Sequence, residues 1–397
     1  MTEARQSPVA GVYIHIPFCE RLCPYCDFAV SVQVDIPHDE YTSAVVEELR
    51  RRRKELDGHQ VATVYFGGGT PSLLAPEKLA ELLAEVDELF AVDDQVEVTM
   101  EANPNQVTAA NLKAWREIGI KRLSIGCQSF QDRHLKALRR NHGGEQARQA
   151  VEEALAVMDR VSIDLMFAGP SQPQEEWEAD LDVMQQLVAD NGLDHVSGYN
   201  LTIEPGTAFW IRRKRGTVVT PDHETATTML ERLVSACKEV GLERYEVSNF
   251  SVPGGESKHN SSYWRGRPYL GVGVGAHSLV VLSDGAARRR ANPKRYKKYM
   301  ETNGEPEEVE ELAPVEHLAE RLFTGARTTL GIDFVALRQQ FGDSVDEAHF
   351  DEIKAVLDDL VRRKWMTCDA GGVFRPTSRG LNFSDSLAQW LFEAATE

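Results

Sequence analysis

Three cysteines fall within eight residues, in the run Cys19-Glu-Arg-Leu-Cys23-Pro-Tyr-Cys26-Asp-Phe28. Three thiolates on one short loop suit three irons of a [4Fe-4S] cube. No fourth cysteine follows nearby, so one iron keeps a vacant position. A vacant iron can be chelated by the amine and carboxylate of a bound amino acid. Zinc is the rival, but structural zinc takes a closed set of about four ligands. No Cys/His pair at finger spacing follows the three cysteines. The remaining Cys127, Cys237 and Cys368 are isolated and read as small buried residues, not as ligands.

The elements around this loop alternate regularly. GVYIHIPF (11–18) reads as a strand running into the cysteines, and a polar helix is expected over 38–56. VATVYF (61–66) is a strand ending in Gly67-Gly68-Gly69-Thr70-Pro71-Ser72, and 76–90 has apolar residues at helical spacing. Further strands are expected at 96–104, 121–129, 160–170 and 195–203, with helices at about 108–118, from 131, and at 173–189. Repeated strand–helix units imply a parallel α/β sheet, and six of them suggest an incomplete (β/α)6 barrel. Chemistry in such sheets gathers at the carboxyl ends of the strands.

Beyond residue 205 the alternation fades. A helix is expected at 221–240, then RYEVSNF (244–250) and the glycine-rich GVGVGAHS (271–278). The acidic run EPEEVEE (305–311) reads as a linker or exposed turn. Helical patterns at 315–326, 333–341 and 347–363 and a hairpin at 364–380 suggest a C-terminal helical, winged-helix-like module. The expected division is a barrel domain over 1–245, a linking segment over 246–305, and the C-terminal module over 306–397.

The cysteine spacing, with an aromatic residue before the last cysteine, resembles the radical SAM superfamily. With IHIPFC leading into it, the segment is similar to the oxygen-independent coproporphyrinogen III oxidase branch and its HemW-type haem-chaperone relatives. The resemblance implies S-adenosylmethionine (SAM) on the vacant iron, where one electron from the reduced cluster breaks a sulfonium–carbon bond and releases a 5′-deoxyadenosyl radical. It also places SAM contacts on Tyr13, Tyr25, Gly68, Gly69, Thr70, Glu101, Gln128, Arg140 and Asp164. These residue types fit the roles. Glycine allows close backbone approach, arginine pairs with a carboxylate, and acids accept from ribose hydroxyls or an amine.

Within that branch two readings stand, an oxidative decarboxylase of coproporphyrinogen III and a haem chaperone. The decarboxylases resemble Cys-x3-Cys-x2-Cys-x-Cys, whereas Phe28 holds the last position here. They also tend to carry an N-terminal extension, and only 18 residues precede Cys19 here. His259-Asn260-Ser-Ser-Tyr263-Trp264 matches the HNxxYW pattern of the chaperone members. Imidazole and phenolate both ligate haem iron, and aromatic rings offer a flat porphyrin an apolar face. His15 is expected to support the cluster loop rather than haem. A radical SAM methylase or cyclopropanase is a third class, and the HNxxYW match weighs against it.

Composition narrows the partners. Formal charge is −18, from 44 basic and 62 acidic residues, which repels phosphate backbones and argues against nucleic acid. Basic clusters at Arg50–Lys54, Arg212–Arg215 and Arg288–Arg290 read as solvated surface or as a carboxylate patch. No apolar run approaches the ~20 residues of a membrane helix, and no signal peptide opens the sequence, so cytoplasmic residence is expected. The resemblance further implies haem, haem-acceptor proteins such as respiratory ones, and a flavodoxin- or ferredoxin-like electron donor as partners.

Overall fold

In the computed structural model, which describes residues 9–396, the six expected strands lie side by side and parallel. They are β1 (Val9–Ile16), β2 (Gln60–Gly68), β3 (Ala91–Ala102), β4 (Arg122–Gln128), β5 (Arg160–Phe167) and β6 (His195–Asn200). Along β1 the residues Val12, Ile14 and Ile16 all face the core and are fully buried, which is why this segment is a strand. Helices close the outer side. Pro76–Leu89 buries Leu79, Leu82 and Val86, a stripe at helical spacing, and Gln174–Asn191 stops at left-handed Gly192.

The sheet is open and continues past both edges of this six-stranded centre. β7 (Glu243–Arg244) and β8 (Asn249–Ser251) extend it beyond β6. On the other side, β9 (Tyr269–Val272) pairs parallel with β1, followed by antiparallel β10 (His277–Val281), β11 (Ala287–Ala291) and β12 (Glu308–Leu312). The glycine-rich stretch therefore begins inside a sheet strand, and its Val272 and Val274, with Leu270 before them, join the main core.

The acidic run differs from its expected linker role. Its second half is β12, because the arginines of β11 face it in register, Arg288 opposite Glu311 and Arg289 opposite Glu310. Arg289 also reaches Glu320 at 2.6 Å, and Arg290 reaches Glu55 at 2.7 Å. Arg50 pairs with Glu85 and Arg52 with Glu48. Most of the basic clusters are thus consumed inside the fold, while Arg213 and Arg215 remain exposed at a helix end.

The C-terminal region packs a second core around Leu322, Phe341, Phe350, Leu357, Phe374 and Leu391. Its helices are Pro314–Gly325, Phe334–Phe341 and Glu347–Arg362, then comes the hairpin Met366–Cys368 with Val373–Pro376. This order gives the winged-helix-like module, capped by helix Ser384–Thr396. Cys127 and Cys237 are buried as expected, but Cys368 lies exposed on the hairpin. No helix among the described residues is long and apolar enough to cross a membrane.

Candidate functional site

The cysteine loop leaves the carboxyl end of β1 and folds over the rim where β2 to β6 also end. Two anchors fix it. His15 Nε2 lies 2.8 Å from the Ala29 carbonyl beyond the cysteines, and the Ser31 amide donates to the Pro17 carbonyl at 2.7 Å. Cys19, Cys23 and Cys26 are free thiols, half-buried, and line one cavity of about 430 Å³. Among the described residues no three His, Cys, Asp or Glu side chains converge on a point as ligands of a single ion do. Burial pushes the Cys26 thiol up to about 11 and raises Cys19 as well. Bound iron would hold such sulfurs as thiolates.

The glycines are required by the loop. Gly68 has φ +113, and a Cβ there would lie 2.4 Å from the His15 ring. At Gly69 a Cβ would meet the Pro17 and Phe18 backbone at 2.7 Å. This close approach puts Thr70 Oγ1 3.7 Å from the Cys19 sulfur. Arg140 closes the opposite side. Its Nη2 donates to Asn103 Oδ1 and to the Gly126 carbonyl, and its Nη1 lies 3.9 Å from the Cys23 sulfur.

Two carboxylates sit on the floor. Glu101 accepts from Tyr65 Oη at 2.8 Å and from the Gly68 amide at 3.0 Å. Burial, with Asp164 adding to it, pushes Glu101 up to about 7. Asp164 accepts from Ser124 Oγ at 3.3 Å and is raised by burial to about 6. Gln128 lines the same space from a left-handed backbone, φ +66, where the pairing of β4 with β5 is irregular. Tyr25 turns its ring toward Phe209 at the wall. Asn103, Gly126 and Tyr199 also line it. Asn103 was readable in EANP beside Glu101, whereas Tyr199 carries no local signal.

Unlike the other expected SAM contacts, Tyr13 does not line the first cavity. It lines a second cavity of about 540 Å³, together with Tyr263, Tyr269 and Leu279. The two cavities share Asp27, Phe28, Gly68 and Glu101 as a common partition.

The HNxxYW residues sit on helix Lys258–Trp264 and scatter around this second cavity. Only Tyr263 lines it. His259 is 1% exposed, with Nδ1 2.8 Å from Thr63 Oγ1 and Nε2 2.7 Å from Tyr263 Oη. Both ring nitrogens are occupied, and its ring stacks on Tyr65. The Asn260 amide donates the cap bond to Ser257 Oγ at 3.3 Å, and Trp264 borders a different hollow beside Arg265 and Leu330.

His259→Ala is therefore expected to act on stability. It leaves Thr63 and Tyr263 without their partner in a buried hole, at a cost of about 2–4 kcal/mol. Denaturant unfolding measures this. On the expectation of haem binding drawn from the sequence, the Soret position should stay unchanged, and a shifted band would return His259 to the ligand role.

Comparison with known proteins agrees with this geometry. Residues 13–184 match the model of the radical SAM superfamily. The chain is 33% identical to the heme chaperone HemW of Bacillus subtilis (strain 168), over 85% of this chain and 88% of that protein. It is 36% identical to the heme chaperone HemW of Escherichia coli (strain K12), over 74% of this chain and 76% of the relative. The solved structure of coproporphyrinogen III oxidase (HemN) from Escherichia coli, a radical SAM enzyme, superposes with a TM-score of 0.80. That superposition covers 97% of this chain and 90% of the other at 21% identity, a likeness of fold. With the cysteine loop, the open parallel sheet and the relatives in agreement, this chain belongs to the radical SAM superfamily and, within it, to the HemW family.

Proposed function

We propose that this chain is a haem chaperone that holds a [4Fe-4S] cluster on Cys19, Cys23 and Cys26, binds SAM in the first cavity, and carries haem in the second. The observation that carries the reading is the second cavity itself. It has room for a macrocycle of about its own 540 Å³, with aromatic walls from Phe28, Tyr263 and Tyr269. Phe28 supports the chaperone over the decarboxylase. It stands where the decarboxylases have a fourth cysteine, and it is 63% exposed at the partition between the cavities.

In this reading Gly68, Gly69 and Thr70 receive the methionyl end of SAM, Arg140 and Gln128 its carboxylate side, and Glu101 and Asp164 its ribose or amine. The bound cofactors supply reducing and radical chemistry. The chain's own part is to orient SAM and to keep water from the partition. The handover partners are haem-acceptor proteins, respiratory ones among them, and a flavodoxin- or ferredoxin-like protein donates electrons.

The adjoining cavities favour one second reading, a decarboxylase, because they put a tetrapyrrole beside the SAM site. One experiment separates the two. The anaerobically reconstituted chain is titrated with haem, watching the Soret band, and is separately supplied with coproporphyrinogen III. Saturable haem binding without decarboxylated product is expected. Product at enzymatic rates with weak haem binding rejects the chaperone reading.

The raised Glu101 gives SAM binding a pH dependence. The free site holds a proton on Glu101 below pH about 7, and a ligand that donates hydrogen bonds needs the carboxylate. Binding then expels a proton, so affinity rises with pH. Between pH 6 and pH 8 the gain is about tenfold. Calorimetry on the cluster-loaded chain measures it. Glu101→Gln should remove most of this slope and leave the smaller contribution of Asp164, raised to about 6, and the titration of the SAM amine. An unchanged slope would show that Glu101 does not face the ligand.

A further inference from the structure

The second cavity holds cations that the fold leaves unpaired. Arg321, on helix Pro314–Gly325, lays its side chain across Gly266, where a Cβ would be 2.2 Å from its Cδ. Gly266 has φ +56 and ends the stretch that carries Tyr263, so the glycine opens the path that lets Arg321 reach the cavity. Its Nε is buried with no hydrogen-bond partner. Lys294 lines the same cavity from an exposed position. Among the described residues neither cation belongs to an ion pair. One competing acid, Glu320, also lines the cavity but is held by Arg289 Nη2 at 2.6 Å. Asp27 and Glu101 line it as well, at the partition with the first cavity.

A half-buried guanidinium whose Nε is buried without a partner, beside a second arginine and without a carboxylate, is costly. Burial together with the nearby Arg267 lowers the Arg321 pKa. Such a group is kept where a ligand supplies the missing anion. The contrast with Arg288–Arg290 sharpens this, since those arginines already have carboxylates from the chain.

We infer that Arg321, assisted by Lys294, anchors carboxylates of the tetrapyrrole in the second cavity, so that the macrocycle lies against Tyr263 and Tyr269 with its propionates toward the C-terminal module. This rests on the haem reading above. It adds that the C-terminal module shares in binding, through a residue outside the HNxxYW run.

The test uses the full-length, cluster-loaded chain under anaerobic conditions. It is titrated with haemin and with haemin dimethyl ester, whose propionates carry no charge, following the Soret band. The wild-type chain should prefer haemin by about tenfold or more, the worth of one charge-assisted bond. Arg321→Met should abolish most of that preference while binding the ester as wild type does, and Arg321→Lys should keep part of it. Lys294→Met, at an exposed position, should reduce the preference several-fold and reads the same effect if Arg321→Met does not fold. A preference unchanged in the folded variants, or a wild-type chain that binds the ester as tightly as haemin, overturns the anchor while the haem reading stands. A wild-type chain that binds neither compound overturns the haem reading itself.

Discussion

Cys23→Ser is expected to abolish the four-iron EPR signal of the reduced protein and with it SAM binding, while leaving the chain folded. A cube held by three thiolates has no protein ligand in reserve, and among the described residues no other His, Cys, Asp or Glu group gathers to take the metal. Serine keeps the shape but not the ligand, because its hydroxyl stays protonated where a thiolate would form. Arg140, 3.9 Å from the Cys23 sulfur, keeps its bonds to Asn103 and Gly126, so the rim itself should persist. Cys368→Ser is the control. That thiol is exposed on the hairpin of the C-terminal module, and its loss should leave iron content and spectrum unchanged. Iron analysis and EPR after anaerobic reconstitution decide the matter. A full four-iron signal in Cys23→Ser, or zinc at these sulfurs in the wild-type chain, would sink the cluster assignment.

Legibility of the site in the sequence followed how local its signals are. The cysteine loop, the triple glycine and the strand-end acids were readable because each is a short run with a fixed chemical consequence. The six central strands were readable because apolar alternation and Gly/Pro punctuation mark them one by one. β9 was not. It has four residues, glycine in its middle, and its parallel partner β1 lies more than two hundred residues earlier. β12 was hidden by its charge, since four consecutive glutamates or valines on an exposed edge become a strand only when Arg288 and Arg289 lie opposite.

Side-chain direction set a second limit. Tyr13 belongs to the right strand but faces the second cavity, and His259 belongs to the right motif but faces Thr63. A motif names residues and leaves their orientation to the packing of distant strands. Arg321 shows the converse, an isolated arginine in an amphipathic helix, whose importance comes only from the absence of a carboxylate around it in space.

The same dependence on distant packing predicts a large effect at a residue that touches neither cavity. Glu48 is fully buried and its two oxygens accept four hydrogen bonds. Arg52 Nη1 and Asn292 Nδ2 each donate to Oε1 at 2.8 Å, while Tyr299 Oη at 2.8 Å and the Gly273 amide at 3.0 Å donate to Oε2. One carboxylate thus ties helix His38–Arg52, which follows the cluster loop, to the segment between β9 and β10. Glu48→Ala strands a buried guanidinium with only Glu55 as its acid and leaves Tyr299 Oη and the Gly273 amide without an acceptor, while Asn292 keeps only its bond to the Gly273 carbonyl. The expected loss is about 3–5 kcal/mol, measured by denaturant unfolding. Glu48→Gln replaces one acceptor oxygen by a donor that must face a donor pair, so it should also destabilise, by less. In the fraction that remains folded, haem binding should weaken more than cluster loading. Gly273 leads directly into Gly275 and Ala276 on the wall of the second cavity, whereas the cluster loop keeps its own anchors at Ala29 and Ser31. A loss below about 1 kcal/mol in Glu48→Ala would mean that water replaces the carboxylate, and that the two halves of the sheet are held together elsewhere.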